Sequence, residues 1–135
     1  MNCLFCKIAA KKIPAEIVAE TDRTVAFLDI EPRALGHTVI IPKHHADTLL
    51  TLPTEEIGPL FAAVQAVAGR IVRALRPAGF TIGINHGAVS GQTVPHLHVH
   101  IIPRFADDGG GSVHSVVHRP PVEPIAVTAE RLRNA

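Results

Sequence analysis

The stretch GQTVPHLHVHIIP, residues 91–103, decides how this chain is interpreted. Three histidines alternate with apolar residues in it: His96, His98 and His100. A period of two is typical of a β-strand, on which alternate side chains point to the same face. The three imidazoles would then form a row on one face, about 6.6–7 Å apart. The apolar residues between them would form the opposite face, where we expect a helix to pack.

The residues alone leave two interpretations of this row of imidazoles. One is a solvent-facing strand whose histidines have no role, although three in succession directly after Pro95 weaken it. The other is a catalytic metal site, because His-x-His on a strand suits Zn²⁺ and a third histidine would complete an open three-histidine ligand set.

The segments around this stretch predict further strands and one long helix. Residues 37–43, HTVIIPK, read as a strong strand that Pro42 ends. Apolar residues recur every three or four positions from Pro59 to Leu75, which predicts a helix, although a start near Thr54 also fits. Other strands are predicted at residues 17–20, 24–29, 80–85 and 96–103. Short helices are predicted at residues 3–10 and 126–132.

These elements predict an α+β domain. We expect an antiparallel sheet of about five strands, covered on one face by the long helix and flanked by short N- and C-terminal helices. The other face would be free for a site. Residues 1–105 would form the domain, and residues 106–135 a tail that belongs to it or is flexible, since it opens with two aspartates and three glycines.

The composition indicates a packed domain without a broad electrostatic partner. The 135 residues are 47% hydrophobic and 19% charged, and the formal net charge is +1. A charge so close to zero gives no attraction toward nucleic acid or an anionic membrane. We expect no membrane span, because no segment approaches the roughly 20 apolar residues it needs. The first residues do not resemble a secretion signal, so we expect a cytoplasmic protein.

Cys3 and Cys6 are the only cysteines, and they form a Cys-x-x-Cys pair. Such a pair is either a redox dithiol or half of a zinc site. A structural disulfide across so short a loop is not expected in a cytoplasmic protein. No βαβ pattern of the thioredoxin type follows, which weakens the redox interpretation.

Taken with its surroundings, the stretch 91–102 resembles the signature of the histidine-triad family, His-x-His-x-His followed by two apolar residues. Residues 27–30, FLDI, and 36–43, GHTVIIPK, are similar to the nucleoside-pocket strands of that family in order and spacing. Asn85 corresponds to its phosphate-side asparagine. The resemblance covers about residues 3–105 and implies a nucleotide hydrolase or transferase.

The resemblance also implies a role for each histidine of the site. His98, in the middle, would attack the α-phosphorus of a nucleotide and form a covalent nucleotidyl-histidine. A backbone carbonyl would hold its other ring nitrogen, supported by His37. His100 would bond the non-bridging phosphate oxygens, and His96 would complete the triad. Further phosphate and leaving-group contacts would come from the preceding segments: Asn85, Gly91, Gln92 and Thr93.

In the family the nucleoside lies in a pocket built from the first half of the chain. By this resemblance Asp29 would hold the ribose hydroxyls. The base, a purine, would lie between apolar side chains: Phe5, Ile8, Phe27 and Ile30.

The same resemblance implies a structural zinc ion with two cysteine and two histidine ligands: Cys3, Cys6, His45 and His96. A closed Cys₂His₂ set is typical of structural rather than catalytic zinc. His44 competes with His45 for the third position, and we choose His45 because it lies three residues after Pro42.

The expected substrate is a purine nucleoside phosphoramidate, bound by a homodimer whose two sheets join across a two-fold axis, as family members do. Two alternatives remain at this level. One is a dinucleoside polyphosphate hydrolase, since Gln92-Thr93-Val94 and Pro103-Arg104 also resemble that branch. The other is a nucleotide-binding interaction protein with little turnover.

Overall fold

Five antiparallel strands form one sheet in the computed structural model, which describes residues 2–135. Their bounds are β1 Ile17–Glu20, β2 Thr24–Leu28, β3 Thr38–Pro42, β4 Gly79–Gly83 and β5 Val99–Arg104. Their order across the sheet is β1-β2-β3-β5-β4, so β5 lies between β3 and β4. Three α-helices accompany the sheet: α1 Leu4–Ala9, α2 Thr54–Leu75 and α3 Ile125–Arg133. The predicted α+β class is confirmed.

The long helix α2 packs on one face of the sheet through a stripe with helical spacing. The buried members of this stripe are Leu60, Ala63, Val64, Val67 and Ile71. They share one core with the apolar residues that alternate with the histidines: Leu97, Val99 and Ile101. By length and composition α2 is long and apolar enough to cross a membrane, although the sequence led us to expect no such segment. Its contacts with the sheet make it the core helix of the domain.

Helix α2 begins at Thr54, so the start predicted at Pro59 is wrong and the alternative start is correct. Two acidic residues of the first turn, Glu55 and Glu56, lie at the positive end of the helix dipole and stabilise the earlier start. Pro59 therefore lies inside the helix, where its ring nitrogen cannot donate to the carbonyl of Glu55.

The opposite face of the sheet is not free, because the N-terminal segment covers part of it. Cys3, Phe5 and Ile8 are buried there. They pack against apolar residues of β2 and β3: Val25, Phe27, Val39 and Ile41. The candidate site therefore lies beside α1 instead of on an open sheet.

Strand β5 begins and ends later than predicted. It begins at Val99, so His96 and His98 precede the strand. It continues through Pro103 to Arg104, because the pairing with β3 ends at Ile101 and no ladder partner on that side needs an N–H from the proline. The other strands differ from their predicted bounds by at most two residues.

The tail begins with a turn that two side-chain hydrogen bonds close, and its flexibility stays a prediction. Arg104 pairs with Asp108 through two bonds, Nε to Oδ2 at 2.7 Å and Nη2 to Oδ1 at 2.9 Å. The guanidinium holds the pKa of that carboxyl well below its usual range. Helix α3 then forms close to its predicted position and has no buried residue.

Candidate active site and metal cluster

His98 lies just before β5 with its ring orientation fixed by the backbone. Its Nδ1 is 2.8 Å from the carbonyl oxygen of His96, and the side chain is only 6% exposed. A carbonyl only accepts, so Nδ1 carries the proton and Nε2 keeps its lone pair. The edge of the Phe5 ring packs against the imidazole, with ring centroids 5.1 Å apart. A neutral imidazole held in this tautomer is a nucleophile at Nε2.

His100 has the opposite proton arrangement because a chain of hydrogen bonds leads to it. The backbone N–H of Arg33 donates to Nδ1 of His37 at 3.1 Å, so a neutral His37 carries its proton on Nε2. That Nε2 lies 2.9 Å from Nδ1 of His100 and donates to it. The remaining nitrogen of His100, Nε2, therefore carries a proton. His37 thus contacts His100, and not the carbonyl that holds His98.

The imidazoles of His37 and His100 both remain neutral at physiological pH. Burial lowers the pKa of His100 to about 4, and the neighbouring imidazoles of His98 and His37 contribute. Burial also lowers the pKa of His37, with a smaller contribution from Arg33. Asp29 opposes both shifts, since its Oδ2 lies 3.6 Å from Nε2 of His37 and 3.9 Å from Nδ1 of His100. The site therefore presents an uncharged donor at His100 beside the imidazole of His98.

The loop after β4 contains the predicted phosphate contacts. Gly91 adopts φ +96°, which only glycine adopts readily, and a Cβ there would lie 3.8 Å from the Asn85 amide nitrogen. Asn85 is half-buried and Thr93 is exposed. The Gln92 amide is engaged within the protein: Nε2 donates to the carbonyls of Asp47 and Val94, at 2.7 and 3.1 Å. Gln92 therefore braces the loop and has no free N–H for a ligand, unlike the donor that the family pattern implies.

The predicted nucleoside pocket divides into buried and exposed members. Asp29 faces the histidines and accepts from the backbone N–H of Glu31 at 2.8 Å. Three of the apolar residues belong to the core beneath α1: Phe5, Ile8 and Phe27. Ile30 is 94% exposed and lies outside that core.

The two cysteines and two of the histidines meet in a separate cluster. Nδ1 of His96 lies 3.5 Å from the sulfur of Cys3 and 3.5 Å from that of Cys6. Nδ1 of His45 lies 3.2 Å from the Cys6 sulfur and 3.2 Å from Nδ1 of His96. The four ligand atoms lie within 4.8 Å of one another. His44 is exposed and does not contribute.

The hydrogen bonds around this cluster leave two lone pairs facing each other. Nε2 of His96 lies 2.8 Å from the carbonyl of Pro42, and Nε2 of His45 lies 2.8 Å from a carboxylate oxygen of Asp47. Each Nε2 donates, so each Nδ1 presents a lone pair to the sulfurs. In a tetrahedral Zn²⁺ site with Zn–S near 2.3 Å and Zn–N near 2.0–2.1 Å, neighbouring ligand atoms are roughly 3.3–3.8 Å apart. The donor set and its spacing fit Zn²⁺.

Two groups of the site have no signal in the sequence pattern. The Asp47 carboxylate orients His45, and its position two residues after that histidine is not a recognisable motif. The backbone N–H of Arg33 sets the tautomer of His37 and leaves no trace in residue identity. The three triad imidazoles do not converge on one point, because each Nδ1 has a different partner. This geometry does not favour a catalytic three-histidine metal site.

Comparison with known proteins gives consistent matches. The family model for the HIT domain matches residues 10–107. An adenosine 5′-monophosphoramidase of Schizosaccharomyces pombe is 36% identical over 110 residues, which are 82% of this chain and 80% of that protein. An adenylylsulfatase of Arabidopsis thaliana is 37% identical over 107 residues, 79% of this chain and 54% of that protein. The crystal structure of a HIT-family member from Bacillus subtilis has TM-score 0.86 and 35% identity, covering 100% of this chain and 98% of that chain.

Proposed function

The chain belongs to the histidine-triad family, and from this premise we propose that it hydrolyses a nucleoside 5′-phosphate linkage through a nucleotidyl-histidine on His98. A nucleotide hydrolase of this family type agrees with the names of its relatives, two of which refer to adenosine 5′-phosphate compounds. For the substrate we propose a purine nucleoside phosphoramidate. A cytoplasmic location stays a prediction.

The protons on the two imidazoles support a two-step displacement. Nε2 of His98 attacks the α-phosphorus, the bond to the leaving amine breaks, and the amine departs with the electron pair and takes up a proton from solvent. Nε2–H of His100 donates to a non-bridging phosphate oxygen and stabilises the charge that develops there. Water then attacks the phosphorus and returns a proton to solvent, and His98 leaves with its lone pair restored. Neutral donors suffice, because phosphoryl transfer depends mainly on positioning and local electrostatics.

The observation that carries this proposal is the 2.8 Å bond from Nδ1 of His98 to the carbonyl of His96. This bond fixes the tautomer of His98, so that the lone pair on Nε2 points away from the backbone and lies beside the neutral N–H donor of His100.

The test is intact-protein mass spectrometry after rapid mixing with adenosine 5′-phosphoramidate. We expect an adduct with the added mass of one AMP on the natural chain and on a His86→Ala control, whose imidazole is exposed. His98→Ala and His98→Gly should form none. AMP release without an adduct would sink the covalent route. If neither adduct nor AMP appears, dinucleoside polyphosphates become the next substrates, and failure there favours a binding protein.

For the metal cluster we propose a structural zinc ion held by four ligands: Cys3, Cys6, His45 and His96. Its support is the pair of facing Nδ1 lone pairs and the ligand spacing. Burial, with the Cys3 sulfur next, raises the pKa of the Cys6 thiol, so a cation is needed to keep thiolates at neutral pH. When bound, zinc would supply a cross-link between the N-terminus and the segment before β5.

We also propose that two copies of the chain associate through β4. This strand is at the edge of the sheet, so one of its sides has no strand partner within residues 2–135. Its Ile82 is 41% exposed, and the outer side of α2 exposes Phe61 and Val72. Pairing β4 with its own copy would satisfy the open edge, as C₂ dimers commonly do.

A further inference from the structure

Gln92 joins two segments that are 45 positions apart in the chain. Its Nε2 donates to the Asp47 carbonyl at 2.7 Å and to the Val94 carbonyl at 3.1 Å. Its Oε1 accepts from the backbone N–H of Gly87 at 2.8 Å. Both N–H groups of the amide are therefore used inside the protein. One side chain thus holds both ends of the loop 87–94 and ties them to Asp47.

The segment 45–47 on the other side of this brace contains a ligand of the metal cluster. Nδ1 of His45 faces Nδ1 of His96, and the Asp47 carboxylate holds the other nitrogen of His45. Between them, the Ala46 carbonyl accepts from the N–H of Leu97 at 2.7 Å. The segment is therefore fastened to residues 87–97 at three places, of which the cluster is one and Gln92 another.

The Gln92 brace also borders a cleft between the segment 45–48 and the loop 87–94. A cavity of about 380 Å³ opens between the two segments, lined by Asp47, Thr48, Ala88, Gln92, Thr93 and Pro95. Gly91 and Thr93, two of the expected phosphate contacts, lie in the braced loop. A displacement of Asp47 would therefore move the loop that is expected to hold the phosphate.

We propose that Gln92 is a positioning residue that couples zinc occupancy of the Cys-His cluster to nucleotide binding by the loop 87–94. The effect on nucleotide binding rests on the proposed function. Metal fixes His45, His45 fixes Asp47, and the Asp47 carbonyl fixes the amide that holds the loop. Coupling of two binding equilibria is reciprocal, so a nucleotide in the loop must also tighten zinc binding.

A second route between the two sites runs through His96, whose ring is a cluster ligand and whose carbonyl holds His98. This route leads to the nucleophile and bypasses the loop. Removal of the Gln92 amide distinguishes the two, since it removes no direct contact of His96. The Val94 carbonyl loses one of its two donors but keeps the other, the N–H of His96 at 2.8 Å.

The test follows zinc release from the loaded, full-length protein into an excess of a chromophoric chelator. Without nucleotide, we expect Gln92→Ala to release zinc at least threefold faster than the natural chain, because the Asp47 carbonyl loses its donor. With saturating AMP, release from the natural chain should slow at least fivefold, within the usual range of coupling between sites. In Gln92→Ala the slowing should be less than twofold.

Two controls exclude loss of stability as the cause. Gln65→Ala removes the other glutamine, which is exposed on α2, and should behave as the natural chain. Ile71→Val weakens the core beneath α2 without removing a contact of the cluster or of the Gln92 amide, and it should not change the AMP effect.

A Gln92→Ala chain that releases zinc at the natural rate without nucleotide overturns the inference whatever the substrate is. Equal AMP slowing in both chains also overturns it and assigns the coupling to His96. AMP binding to the loaded natural chain is measured separately by calorimetry. If AMP does not bind, the proposed nucleotide chemistry is contradicted. The rates of zinc release without nucleotide, compared between Gln92→Ala and the natural chain, still decide whether Gln92 braces the cluster.

Discussion

At His98 the ring nitrogen that faces the protein carries the proton, whereas at His100 the corresponding nitrogen lacks one. The difference comes from the partners, since His98 meets a carbonyl and His100 meets the N–H of another imidazole. Residue type and spacing predict the row of histidines. They do not predict the partner of each ring: His37 was expected to support the backbone carbonyl that holds His98, and it contacts His100 instead.

The low pKa of His100 predicts a loss of stability in acid. The unfolded chain takes up this proton near the ordinary value of 6.5, while the folded protein resists until about pH 4. Between these values the unfolded state binds more protons, so the free energy of unfolding falls as the pH drops. We expect His100 to contribute about 3 kcal/mol of this fall between pH 7 and pH 4.

The measurement is urea unfolding at several pH values for the natural chain and His100→Gln. Burial lowers the pKa of His37 and His96 as well, so the prediction concerns the difference between the two chains. Parallel pH curves for the two would show that His100 titrates normally in the folded protein.

At the scale of elements, periodicity predicted which strands and helices exist, and local backbone rules misplaced some of their ends. Pro59 and Pro103 were expected to mark the ends of a helix and a strand, yet Pro59 lies inside α2 and Pro103 inside β5. Pro103 is tolerated because the pairing of β5 with β3 ends before it, and the order of strands in a sheet has no local signal. The His45 register illustrates the same limit, since only packing separates it from the exposed His44.

Adding a methyl group should have opposite effects on stability at two glycines, one before β3 and one inside α2. Gly36 has φ +83°, and a Cβ there would lie 2.5 Å from Cδ1 of Leu75 at the end of α2. Gly36→Ala should therefore lower the free energy of unfolding by about 1–3 kcal/mol or more. Gly69, also inside α2, would place an added Cβ 3.4 Å from the flexible end of the Arg73 side chain and near nothing else, and Gly69→Ala should raise it by about 0.5–1 kcal/mol. Denaturant unfolding measures both, and a neutral Gly36→Ala would contradict the close approach.

At the scale of the whole molecule, the proposed zinc ion would link the first residues of the chain to the segment before β5. We expect one zinc per chain by elemental analysis, and none in Cys6→Ser. Loss of the ion should cost about 2 kcal/mol or more and lower the Tm by roughly 5–10 °C. Lys7→Ala, on the same helix but outside the cluster, should keep the metal. A natural chain purified without metal and with an oxidised Cys3–Cys6 pair would support the redox interpretation instead.

The proposed dimer predicts different effects at the two edges of the sheet. Ile82 on β4 and Ile17 on β1 are similarly exposed, at 41% and 38%. Ile82→Lys places a charge on the proposed interface and should yield monomers in sedimentation equilibrium, whereas Ile17→Lys should remain dimeric. Monomers in the natural chain, or equal effects of both variants, would refute association through β4.

The hydrogen bond from the main chain at position 33 has a consequence for how this site tolerates genetic change. Every amino acid except proline supplies that N–H, so the tautomers of neutral His37 and His100 do not depend on which side chain stands there, whereas the charge of Arg33 adds to the lowering of the His37 pKa. Substitutions at position 33 can therefore change the surface while His37 and His100 keep the same tautomers. A signature written in residue letters would miss this constraint, because what it forbids at position 33 is a single imino acid.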